Sequence, residues 1–96
     1  MNIKNERTDE LFKGILSLKD LDECYAFFED LCTVKEILEM SKRLEGAAML
    51  KNGSVYTEVA EKTGLSTATI SRISRCLKYG DGGYGTVLSR MENDKE

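Results

Sequence analysis

Between Val59 and Ile73 the chain places small and apolar side chains where two crossing helices require them. Ala60 is small enough to stand where two helices approach closely. Gly64, four residues later, can take the left-handed backbone conformation by which a chain reverses tightly. Ile70 and Ile73 then pin a second helix from below, with Val59 and Leu65 beneath the turn. The segment reads as a helix-turn-helix, occupying residues 55–80 with its flanks.

A chain of 96 residues supplies one small domain, residues 1–96. Its strong periodicities are all helical, so an all-α fold of about six helices is expected. A first helix is expected over Asn5–Ser17, with Leu11, Phe12, Ile15 and Leu16 on one stripe. Asp20 caps a second that runs to Leu31. Thr33 and Glu36 have the spacing of a capping box and open a third, which Gly53 stops near Asn52. In this third helix Val34, Ile37, Leu38, Leu44 and Ala48 form an apolar face, while Met40, Ala47 and Leu50 lie off it. A helix apolar over so much of its circumference asks for cover on more than one side. Either the chain wraps this helix itself or a second copy supplies the cover; the second reading is preferred, and it makes residues 5–52 dimerisation helices. Two short helices follow, Tyr56–Lys62 and, capped by Ser66, one running to Tyr79. Residues 81–96 are expected to be a loop, a short helix over Thr86–Met91 and a charged tail.

Composition narrows the function. With no histidine the chain lacks the usual general base and the usual catalytic zinc ligand. No nucleophile stands beside a base, so no catalytic residues, no metal site and no cofactor are expected, and the chain is not read as an enzyme. Three cysteines, Cys24, Cys32 and Cys76, form no C-x-x-C pair. They read as reduced thiols of a cytoplasmic protein. The polar start, Met1–Arg7, does not look like a signal peptide, and the apolar runs are too short to span a membrane. Gly80–Gly85 matches G-x-G-x-x-G in form, but no strand precedes it, so a dinucleotide site is not expected. Adjacent acids such as Asp22-Glu23 read as a solvated surface. Cys76 beside Arg75 reads as a small buried thiol rather than a redox sensor.

The net charge of −3 hides a split. Residues 1–50 carry −4, residues 51–79 carry +3 and residues 80–96 carry −2. No acid lies between Ser66 and Gly80. On a wheel of about 100° per residue, Ile70, Ile73 and Leu77 share the core side of the second motif helix. Thr67, Ala68, Ser71, Arg75 and Lys78 face the other way. That arc is small and polar at its start and basic further on. It suits a helix that enters the major groove of double-stranded DNA N-terminus first. Thr67, Ala68 and Ser71 would meet base edges, and Arg75 and Lys78 phosphates.

Ser66-Thr67-Ala68-Thr69-Ile70-Ser71-Arg72 resembles the recognition helix of the Trp repressor. The closer resemblance is to the YerC/YecD group of Trp-repressor-like proteins of Gram-positive bacteria. It is carried by Arg43-Leu44-Glu45, Met49-Leu50-Lys51, Tyr56-Thr57-Glu58-Val59-Ala60, Thr63-Gly64, Ser66 to Arg72, and Arg75 to Gly80. It covers about residues 10–90 and implies six helices in an intertwined homodimer. It also implies an effector pocket between the central and recognition helices. Arg43 and Arg72 match the arginines that flank a corepressor, and Thr33 matches a pocket position. Two matches depart: Ile73 replaces a pocket glycine, and Cys76 replaces a serine. The branched Ile73 stands where an indole edge would lie, so tryptophan is not expected as the effector. Either Ile73 plugs the pocket or a smaller ligand enters.

The sequence thus points to a DNA-binding transcriptional regulator, a homodimeric repressor using Thr67, Ala68, Ser71, Arg72, Arg75 and Lys78. Two alternatives remain: an amino-acid-gated repressor using Arg43 and Arg72, and a protein-interaction module with a vestigial helix-turn-helix. No membrane partner is expected. The operator, the regulated genes and the sense of regulation are not written in the sequence.

Overall fold

The computed structural model describes residues 3–94. Six α-helices follow one another: α1 (Glu6–Leu16), α2 (Leu21–Leu31), α3 (Val34–Lys51), α4 (Tyr56–Thr63), α5 (Thr67–Tyr79) and α6 (Gly83–Asp94). The described residues contain no strand, so the all-α class and the six helices are as expected.

Four helix starts are fixed by side chains that accept otherwise orphaned backbone N–H groups. Asn5 accepts from the Thr8 N–H at 2.8 Å, and Asp20 from the Glu23 N–H at 2.8 Å. Thr33 and Glu36 complete the expected capping box. The Glu36 N–H donates to Thr33 Oγ1 at 3.1 Å, and the Thr33 N–H donates to Glu36 Oε1 at 2.8 Å. These bonds hold the Glu36 carboxyl below the usual carboxylate range, the backbone N–H of Thr33 contributing most. Ser66 accepts from the Thr69 N–H at 3.1 Å and starts α5. The N-cap of α4 is Val55, which has no side-chain oxygen. Only the return bond forms there, from the Val55 N–H to Glu58 Oε1 at 3.3 Å.

The chain divides into two compact units, residues 1–37 and 38–96. In the first unit neither α1 nor α2 buries a residue. Phe27 and Phe28 meet edge to face with ring centroids 5.6 Å apart. Leu21, Cys24, Tyr25, Phe28 and Ile37 line a shallow apolar groove of about 220 Å³.

The second unit closes a core of Ala47, Val59, Leu65, Ile70, Ile73 and Leu88. All four apolar residues expected beneath the turn and the second motif helix are therefore buried. On α3 the outcome differs from the wheel. Val34 and Leu38 of the expected apolar face are exposed, while Ala47, which lies off that face, is fully buried beside Gly46. Gly46 packs closely against the core. A Cβ there would lie 3.1 Å from Leu65 Cδ1 and 3.4 Å from Val59 Cγ1.

α6 corrects another expectation. It begins at Gly83 rather than Thr86 and continues to Asp94 rather than Met91. The glycine-rich stretch read as a loop to Gly85 thus contributes the helix's first turn. Gly82, at φ 83°, ends the connection. Leu88 in the core and Tyr84 packed against it anchor the helix.

Candidate nucleic-acid interface

The helix-turn-helix is built around Thr63, a buried polar residue that the motif pattern does not single out. Its hydroxyl donates to the Val59 carbonyl at 2.7 Å and accepts the Leu65 N–H at 3.1 Å. One side chain thus ties the end of α4 to the start of the next segment. Gly64 follows at φ 75°, the left-handed conformation expected of it. Its N–H donates to the Ala60 carbonyl at 2.9 Å. The reversal is locked by hydrogen bonds as well as by apolar packing.

Beyond the turn, Ile70 and Ile73 hold α5 at 0% and 2% exposure. The opposite face is open. Thr67, Ala68, Ser71, Arg72, Arg75 and Lys78 are all exposed. Among the described residues none of these three cations is in an ion pair. With no acid from Ser66 to Gly80, the charges that α5 itself places on this face are all positive. Uncompensated guanidinium and ammonium groups in that arrangement can neutralise phosphates.

A second feature adjoins α5. Arg43, Thr69, Arg72, Ile73, Cys76 and Tyr84 line a cavity of about 380 Å³. The structure therefore brings together Arg43, Arg72, Ile73 and Cys76, four of the five residues expected at an effector pocket. Ile73 stands in the cavity wall. Its Cδ1 lies 3.7 Å from where a Gly46 Cβ would be, in the packed core. Thr33 belongs to the first unit, where its hydroxyl caps α3. Thr69 and Tyr84 are the lining residues that the sequence reading missed. Thr69 sits between the two faces of α5 on the wheel. Tyr84 arrives from α6, whose glycine-rich first turn reads as a loop in the sequence. All three cysteines are free thiols, Cys76 half-buried at the cavity wall.

Among the described residues there is no cluster of potential metal ligands. No helix there is long and apolar enough to cross a membrane.

The arrangement has relatives. The family model described as Trp repressor protein matches residues 6–92. The uncharacterized protein YerC of Bacillus subtilis (strain 168) is 51% identical over 90 residues, which are 94% of this chain and 86% of YerC. The crystal structure of a TrpR-like protein from Eubacterium eligens superposes with a TM-score of 0.90 at 54% identity, over 94% of this chain and 93% of that one. A candidate Trp repressor from Staphylococcus aureus superposes with a TM-score of 0.89 at 47% identity, over 94% of this chain and 90% of that one. The family match begins at the first residue of α1 and ends within α6, so it takes in the turn, the open face of α5 and the cavity together: the chain belongs to the Trp repressor family.

Proposed function

We propose that the chain is a sequence-specific transcriptional regulator, a repressor, that binds double-stranded DNA as a homodimer without tryptophan as corepressor. The observation that carries this reading is the open face of α5. It is acid-free, carries three cations that form no ion pair among the described residues, and starts with small polar side chains at a capped N-terminus. Thr67, Ala68 and Ser71 read base edges, and Arg72, Arg75 and Lys78 hold the backbone. Family membership supports the same role. The uncovered apolar side chains of the first unit support homodimerisation. A symmetric dimer would read a palindrome with half-sites about 34–36 Å apart, or a multiple of that.

Selection from a pool of random duplexes, without added ligand and at moderate salt, tests the reading. An enriched palindrome is expected. Arg75→Ala should then weaken specific and non-specific DNA alike, whereas Thr67→Ala or Ser71→Ala should change which sequences are retained. Failure to retain any duplex would leave a missing effector or a protein-interaction module, and repeating the selection with amino acids present separates the two.

The cavity favours a second reading, an effector-gated repressor. Arg43 and Arg72 would hold the carboxylate of an amino acid smaller than tryptophan. The ligand would have to raise both the melting temperature and operator affinity. A screen of the amino acids in which none does both would remove this reading and leave the first intact.

A further inference from the structure

Tyr79 is the last residue of α5 and is 84% exposed. The two next most exposed large apolar residues, Leu16 and Leu21 at 83% and 71%, sit on the amphipathic helices of the first unit, where an apolar partner would cover them. Tyr79 has different neighbours. At 100° per residue it falls among Ala68, Arg72 and Arg75 on the open arc, one turn beyond Arg75. No hydrogen bond among the described residues engages its hydroxyl. The helix stops immediately after it. The Gly80 N–H closes on the Cys76 carbonyl at 2.9 Å and the backbone turns extended, so the chain leaves Tyr79 on the rim. Asp81 bounds the acid-free surface two residues on.

We propose that Tyr79 is a further DNA contact, one that donates its phenol hydroxyl to a phosphate oxygen at the edge of the half-site. The inference rests on the DNA-binding reading of α5. A helix that meets bases with its N-terminal residues carries its far end out of the groove, over the sugar-phosphate backbone. A tyrosine there offers a neutral donor on a stiff, two-torsion arm, and tyrosine is among the side chains that bond phosphates. Being uncharged, it adds affinity and fixes register without adding to the salt dependence that Arg75 and Lys78 create.

The test compares wild type, Tyr79→Phe, Tyr79→Ala and Arg75→Ala on the duplex that wild type enriches, over a range of salt. Both Tyr79 variants should bind about three- to tenfold more weakly, the range of one hydrogen bond. Their dependence of log K on log salt should keep the wild-type slope, while Arg75→Ala reduces it by about one. Melting temperature and oligomeric state should not change, because the side chain is exposed. Wild-type affinity in Tyr79→Phe would overturn the proposal, since the hydroxyl would then be idle. A shift in oligomeric state would overturn it too, because the role would be structural. If wild type binds no duplex at any salt, with or without added amino acids, the DNA-binding reading fails first. If wild type binds and Arg75→Ala weakens it while both Tyr79 variants are unchanged, only the Tyr79 proposal fails.

Discussion

The two units of this chain have similar raw materials and reach different ends. In residues 38–96, six apolar side chains from α3, α4, α5, α6 and the motif turn converge until each is at most 8% exposed. In the first unit, Phe12 is 48% exposed, Tyr25 59% and Val34 68%. Hydrophobicity is not the difference, since α1 and α2 are both amphipathic. Convergence is. Two helices of 11 residues and one turn of α3 do not enclose a volume. Helices of that length are marginal in water unless an apolar face is packed. The second unit encloses its own core, whereas the first leaves its apolar side chains exposed. Exposed apolar side chains of this kind are the basis of the homodimer proposed above.

The largest effect should come from spoiling that surface. Leu21→Lys with Tyr25→Lys places two charges on side chains that are exposed within the chain. In a homodimer each charge is met twice. If burying each original side chain contributes about 1.5–3 kcal/mol, dissociation should rise by more than about a hundredfold. Light scattering should show monomers, and circular dichroism should show helix lost in α1 and α2 while the second unit melts as a separate transition. A dimer of unchanged helicity would break the comparison, because the first unit would then not need this face covered.

Ile70→Ala probes the other side. Ile70 is fully buried within the second unit, so the loss should be about 2–5 kcal/mol. The two changes should differ in kind. The α2 defect should be relieved by raising protein concentration, and the Ile70 defect should not.

The same contrast explains what could be read in advance. Helix starts were legible because a cap is a local event: Asp20, Thr33 and Ser66 each bond a backbone N–H three residues on. The turn was legible because Gly64 and the apolar positions around it are spaced by helix geometry alone. The open arc of α5 was legible for the same reason. What failed depended on partners distant in sequence. Gly83 and Gly85 each cost a helix about 1 kcal/mol by propensity, yet α6 includes both because Leu88 and Tyr84 find the core. Ala47 is buried because of what packs against α3, which no wheel of α3 records. Tyr84 and Thr69 became visible as cavity walls only once α6 was in place.

Gly46 sharpens this point with a smaller effect. Alanine there would meet Leu65 Cδ1, the flexible end of a side chain, and gain helix propensity in return. Valine is different. Its two methyl groups must displace Leu65, Val59 and Ile73 together. Gly46→Val should destabilise the second unit by about 1–3 kcal/mol through overpacking, read by denaturant midpoint. Little change would mean that the α3 contact is looser than the 3.1 Å approach indicates.

The smallest effect belongs to the exposed capping box of the first unit. The Glu36 carboxyl is held below the usual carboxylate range by the Thr33 N–H first and the Thr33 hydroxyl second. A carboxyl whose folded value is depressed stabilises the fold above its unfolded value and loses that contribution as pH falls through the folded one. Glu36→Gln keeps an oxygen for the Thr33 N–H but removes the charge. Wild type should therefore melt slightly higher than Glu36→Gln at neutral pH. The two melting curves should converge below the usual carboxylate range, where wild type also carries a neutral side chain. Salt should reduce the neutral-pH difference, because the charged end of α3 is open to solvent. A difference that persisted unchanged into acid would assign the stabilisation to shape rather than charge. The first turn of α3 would then be held by the neutral half of the box alone, the Glu36 N–H on Thr33 Oγ1.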